Sequence, residues 1–202
     1  MQKTQDMNIY LVRHGEQNNN GCYKPDAELT PDGIKQANLL GWRLQNAGVI
    51  RIYTSDLPGA EQTAETINRH LHREVIHMPE FREISFGEWE GLSYSEVESR
   101  YTGFLQEFSQ HQRDLPYPGG ESGEDVKNRT LASLEQIALS NHDSVIVSHG
   151  GVILTLLCAL MGFSLEKRFQ LCQPEFCSIC RVSYNPLKGY SILSINDTAH
   201  LA

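Results

Sequence analysis

A chain of 202 residues is the size of one ordinary domain, long enough to bury a sizeable core. Lys plus Arg number 17 against 25 Asp plus Glu, for a net charge of −8. That balance argues against broad contact with nucleic acid, whose affinity rests on neutralised phosphates, but allows a small phosphorylated ligand held by a few local cations. The longest apolar run, residues 152–163, falls short of the ~20 residues of a membrane span and reads as a buried helix. The first fifteen residues hold Lys3, Asp6 and Arg13 and no apolar run of leader length, so no secretory leader is expected. Five cysteines, Cys22, Cys158, Cys172, Cys177 and Cys180, are an odd set that reads as reduced thiols. The cytoplasm is the expected location.

Residues 8–12 form a short apolar run ending at Arg13-His14-Gly15, the pattern of a buried strand followed by a functional turn. Thr30 as N-cap and Pro31 at the first helical position open a helix. Ile34, Ala37, Leu40, Gly41 and Leu44 follow on its buried side, and Gly48 ends it. A second strand spans 49–54, a helix 60–71 and a third strand 74–77. Residues 79–118 are polar and rich in aromatics; they read as an inserted lid carrying a helix over 95–107. An amphipathic helix over 124–139, with Glu121 and Ser122 at capping spacing before it, precedes a strand at 144–148, which stops at His149-Gly150-Gly151, and the apolar helix follows. Strands at 177–184 and 190–195 complete the chain. Alternation of strand and helix predicts a single α/β domain, a three-layer α/β/α sandwich around a mainly parallel sheet. Ligands of such sheets bind beyond the carboxyl ends of the strands, where His14 and His149 both fall.

Several routes to phosphate chemistry are absent. The chain has no GxxxxGK[ST] loop and no GxGxxG fingerprint. No cysteine is followed six positions on by arginine, there is no Asp-x-Asp pair, and neither HExxH nor GxSxG occurs. What remains is Arg13-His14-Gly15-Glu16, with Asn20 six positions after the histidine. A neutral imidazole is a competent nucleophile toward phosphorus, and an adjacent guanidinium can fork onto phosphoryl oxygens. Gly150 and Gly151 after His149 allow close approach at a helix N-terminus. Glu83, in Phe81-Arg82-Glu83-Ile84-Ser85-Phe86-Gly87-Glu88-Trp89, has an aromatic setting that could keep a carboxyl protonated as an acid. Each of these segments also has a purely structural reading when taken alone.

Together they closely resemble the histidine phosphatase superfamily, the phosphoglycerate mutase-like fold, and within it the small phosphatases such as the alpha-ribazole phosphatases. The resemblance is carried by Arg13-His14-Gly15-Glu16 with Asn20, Leu29-Thr30 with Gly33, and Ser55-Asp56-Leu57 with Ala60. It continues through Glu83 with Trp89-Glu90-Gly91, Pro118-Gly119-Gly120-Glu121-Ser122 and Ser148-His149-Gly150. It implies that His14 becomes phosphohistidine, that Arg13 and His149 hold the equatorial oxygens, and that Glu83 protonates the leaving group and later activates water. It also implies no metal or cofactor, a small phosphorylated metabolite as partner, and a bell-shaped pH profile.

One position departs from the family pattern. Where the family places an arginine immediately before Ala60, this chain has Gly59 after Pro58. Three readings stand: Arg82 or Lys24 substitutes; bare N–H groups at Gly59 and Ala60 take the phosphate; or the chain is an impaired, phosphate-binding relative. Phosphoglycerate mutase-type transfer is a further alternative to hydrolysis. Tyr23 and Lys24, on the loop after His14, are candidate substrate contacts. Cys177 and Cys180 have CxxC spacing but should point to opposite faces of a strand, and His70, His72 and His77 read as surface residues. The apolar C-terminal strand leaves a homodimer open.

Overall fold

A computed structural model describes residues 6–202. Six strands form one sheet in the order β3-β2-β4-β1-β5-β6: β1 (Met7–Arg13), β2 (Arg51–Thr54), β3 (Glu74–His77), β4 (Ser144–Ser148), β5 (Ile179–Asn185) and β6 (Gly189–Asp197). β3, β2, β4 and β1 run parallel, whereas β5 pairs antiparallel with β1 and β6 antiparallel with β5. The central strands are apolar on both faces, so each face must be covered by helices. α1 (Pro31–Leu44) and α2 (Pro58–Leu71) pack on one face against Tyr10, Val12, Ile52, Val145 and Val147. α5 (Gly123–Leu139) and α6 (Gly150–Met161) cover the other, against Ile9, Leu11, Tyr53 and Ile146. This is the expected three-layer sandwich. Among the described residues no helix is long and apolar enough to cross a membrane.

The local signals act as anticipated at the helix starts. Thr30 Oγ1 accepts the Gly33 N–H at 3.0 Å, and Ser122 closes a capping box with Asp125 at the head of α5. Ile34 differs: it is 46% exposed. The buried stripe of α1 instead starts at Gly33, whose missing side chain lets the helix lie against the backbone of Glu16, and Ile34 is one residue, about 100°, around the helix from it. Cys177 and Cys180 are buried in opposite core layers, although β5 begins only at Ile179 and Cys177 precedes it with φ +55°.

Residues 79–118 carry two short 3-10 turns, Pro79–Phe81 and Gly87–Trp89, and two helices, α3 (Tyr94–Arg100) and α4 (Thr102–Phe108). The single helix expected over 95–107 is broken at Tyr101, which leaves helical geometry and places its hydroxyl on Glu88 at 2.9 Å. Trp89, 1% exposed, is the hub of this segment, with the rings of Tyr23, Tyr101, Phe104 and Tyr117 centred 5.1–5.9 Å away. Phe104 and Tyr117 pack edge-on and Tyr23 and Tyr101 tilted, which adds to the large area an indole buries. Trp89→Ala is expected to cost about 3–5 kcal/mol in urea unfolding, and protease nicking should concentrate in residues 90–115. A loss below about 1 kcal/mol would show that the ring cluster does not hold the segment down.

Candidate active site

The site is built where three neighbouring parallel strands end. Arg13, the last residue of β1, is in register with Ser148, the last of β4. The ladder runs one step further, with His14 N–H on Ser148 O at 2.9 Å. On the far side of β4, the N–H of Ser55, just beyond β2, donates to Val147 O at 3.0 Å. His14, His149 and Ser55 therefore leave the sheet side by side. The rings of His14 and His149 lie 4.9 Å apart, centroid to centroid. Both residues are almost wholly buried.

Their protonation states follow from their surroundings. His14 Nδ1 is 2.7 Å from Gly15 O; a carbonyl can only accept, so Nδ1 carries the hydrogen and Nε2 keeps its lone pair. Burial, then the charge of Arg13, push the His14 pKa down to about 3. Burial also drives His149 well below its ordinary value, with His14 and Arg13 adding to the effect. Ser55 Oγ lies 3.0 Å from His149 Nε2 and accepts the Leu57 N–H at 3.2 Å. With the Ser55 hydroxyl donating to Nε2, a neutral His149 carries its hydrogen on Nδ1, where it can serve as a donor.

Arg13 donates through Nη1 to Pro174 O at 2.7 Å, and its plane rests on Phe176, 4.0 Å from the ring centre. Its buried Nε has no partner among the described residues. Glu83 accepts the N–H of Ile84 at 2.8 Å and of Gly151 at 3.2 Å. Withdrawal from water nevertheless holds its carboxyl above the usual range, with those two N–H groups and Arg13 acting in the opposite sense. Arg13, His14, Glu83 and His149 line one cavity of about 270 Å³. An electrophilic wall, a neutral nucleophilic ring and a carboxyl disposed to hold a proton thus converge on one space.

The remaining candidates separate. Tyr23 and Lys24 line the cavity. Asn20 does not: it is an exposed turn residue with φ +51°, and Asn19 takes its place in the wall. Arg82 points outward and pairs with Asp56 through both Nε and Nη2, so it is committed elsewhere. Gly150 lies behind the wall against Gln173, and it is Gly151 that meets the cavity. Gly59 presents nothing to the cavity, because the carboxamide of Gln17 occupies the space a Cβ would need there. Gln17, held by Ala27 O at 2.6 Å, lines the cavity instead, so a neutral amide stands where the family pattern has a cation. Gln17, Gln173 and Phe176 carry no motif of their own. Only the adjacency of Gln17 to Gly15-Glu16 could have drawn attention to it.

The sequence pattern described as "Histidine phosphatase superfamily (branch 1)" matches residues 9–198. The chain belongs to this superfamily. Among its relatives is the Probable phosphoglycerate mutase GpmB of Proteus mirabilis, 32% identical over 96% of this chain and 95% of that one. Another, named Putative phosphoserine phosphatase 2, from Hydrogenobacter thermophilus, is 35% identical over 81% and 83%. In fold the chain matches the alpha-ribazole phosphatase of Shigella flexneri with a TM-score of 0.82 and 24% identity, over 95% and 97% of the two chains. The phosphoglycerate mutase-like architecture expected for the superfamily is the one observed.

Two outcomes follow from this superfamily site. Gly59→Arg should destabilise by about 1–3 kcal/mol through collision with Gln17, and adding Gln17→Ala should restore most of that loss in urea unfolding; additive costs would show that the two positions do not share one space. Both buried rings are held below the ordinary value of 6.5, so the unfolded chain binds more protons than the folded one. Stability should therefore fall as pH drops below about 6.5, by up to about 1.4 kcal/mol per pH unit for each ring. His149→Gln should remove one proton from that slope, measured as urea midpoints between about pH 6 and 4.

Proposed function

We propose that this member of the superfamily is a phosphomonoester hydrolase acting through a phosphohistidine on a small phosphorylated metabolite, without a metal or cofactor. The observation that supports it most directly is the 4.9 Å approach of the His14 and His149 rings in a cavity shared with Glu83 and Arg13. His14 Nε2 attacks phosphorus as the bond to the leaving oxygen breaks, and that oxygen takes its proton from Glu83. Arg13 and the Nδ1–H of His149 meet the charge that gathers on the equatorial oxygens. The Glu83 carboxylate then removes a proton from water, which attacks the phosphohistidine, frees inorganic phosphate and returns His14 to its starting form. Residues 79–118 act as the lid that contacts the leaving group, through Ile84, Phe86, Tyr94 and Tyr117, which line the cavity with Tyr23 and Lys24.

The 35% identity to a relative named as a phosphatase supports hydrolysis, whereas the relative named as a mutase, at 32%, matches over more of the chain and keeps transfer as the second reading. Incubation with 3-phosphoglycerate and bisphosphoglycerate decides between them, since isomer exchange without phosphate release would establish transfer. His14→Ala should abolish both turnover and covalent labelling from a 32P-phosphomonoester, and EDTA should leave turnover unchanged. Glu83→Gln should slow alkyl phosphate hydrolysis by about 10²–10⁴-fold yet slow p-nitrophenyl phosphate far less, because that leaving group needs no proton. It should also remove the alkaline limb of the pH profile, which the raised Glu83 pKa sets. Equal losses on both esters would sink the assignment of Glu83 as the acid.

A further inference from the structure

A phosphoryl group brought against His14 meets little positive charge. Among the described residues, the charged side chains of the cavity wall are Arg13, Lys24, Glu83 and Arg168. Arg13 is the cation whose charge reaches His14. Arg168 is paired with Asp114, and Arg129, behind Glu83, with Glu121. Lys24 is exposed on the loop after His14. Burial holds the imidazoles of His14 and His149 neutral, so they offer no charge of their own. A dianion withdrawn from water beside one guanidinium would leave one charge uncompensated, a costly state.

Backbone donors do not make up the difference. The N–H of Gly15 goes to Thr63 Oγ1 at 3.0 Å, and that of Glu16 to Gln36 Oε1 at 2.9 Å. Ala60 N–H, in the first turn of α2, is taken by Leu57 O at 3.0 Å. Gly151 N–H, in the first turn of α6, is taken by Glu83 at 3.2 Å. On the α2 side Gly59 has no side chain to offer, and the Gln17 carboxamide fills the space beside it, with Nε2 donating to Ala27 O at 2.6 Å. A carboxamide there occupies room and brings no net charge.

We propose that this pocket selects a tetrahedral oxyanion of single charge, a phosphomonoester with one oxygen protonated or a phosphodiester, over the phosphomonoester dianion. Gln17 and Gly59 set the selection by keeping a second cation out. This rests on the reading of the cavity as a phosphoryl site.

Three esters of like shape test it by calorimetry on His14→Ala, which lacks the nucleophile: propyl phosphate, propyl sulfate and methyl propyl phosphate. The last two carry one charge throughout, whereas propyl phosphate carries nearly two at about pH 8 and one at about pH 5. Propyl sulfate should bind about tenfold or more tighter than propyl phosphate at the higher pH, and the two should bind alike at the lower. Methyl propyl phosphate separates the two sources of the single charge: binding equal to the sulfate's assigns the diester, and no binding assigns the protonated monoester. Gly59→Arg together with Gln17→Ala, which frees room for a guanidinium, should reverse the order at about pH 8. Tighter binding of propyl phosphate at about pH 8 without those substitutions would overturn the proposal, as would an order that they leave unchanged. A preference that disappears in Glu83→Gln would also overturn it, because the charge of Glu83 would then be its source. In turnover by the native protein the selection should appear in KM, leaving the Glu83 limb in kcat. Turnover of no ester, with this order of binding intact, supports the charge selection and sinks the phosphatase reading; turnover of propyl phosphate, with its dianion bound best, does the reverse.

Discussion

The parallel pairing of β1 with β4, in the register that sets Arg13 beside Ser148, is the constraint on which the site depends. It delivers two histidines separated by 135 positions in the sequence to adjacent strand ends, and the further bond from His14 N–H to Ser148 O carries that registration one residue past the sheet. From the other side, the Cys177 N–H bonds to Arg13 O at 3.0 Å and to His14 O at 3.2 Å. The backbone of His14 is therefore held by both neighbouring segments. A one-residue slip would reverse the faces of β1 and drive apolar Leu11 and Val12 out of their opposite core layers. Core packing thus enforces the register that brings His14 and His149 together.

Burial does chemical work as well as structural work here. The low dielectric that makes a charged imidazole unfavourable keeps both rings neutral, as a nucleophile requires. The same withdrawal from water favours the protonated form of Glu83, as an acid requires. Arg13 is spared neutralisation by its intrinsically high basicity and is a fixed positive charge beside His14. Opposite protonation demands on a histidine and a carboxylate are met by one environment, because desolvation disfavours charge of either sign.

Residues 79–118 are held together by a different force. Their aromatic cluster around Trp89 is almost free of polar contacts at the hub, and the indole Nε1 has no partner among the described residues. The cluster is tied to the sandwich at a few backbone points, such as Glu88 N–H on Pro118 O and Glu121 N–H on Ser85 O. Arg129 reinforces this attachment by reaching Glu121 and the carbonyl of Glu83, so Glu83 is supported from α5 as well as from its own loop. Arg168 and Asp114 join the end of the lid segment to α5 in the same manner.

By itself the sequence determined the order of elements, the caps at Thr30 and Ser122, the two strand-end histidines and the carboxyl at Glu83, because periodicity and capping are local and the family motifs are contiguous. Tertiary structure alone decided which groups stand beside them. Asn20 gave way to Asn19 because a left-handed turn rotated the loop, Arg82 was drawn off by Asp56, and Gln17 filled the space that Gly59 left. Gln173, Phe176 and Arg168 entered the site from segments without any motif. The physical reason is that the residues lining a cavity are selected by packing between distant parts of the chain, and a side chain's partners there depend on distance in space, which the pattern of neighbours along the chain does not encode.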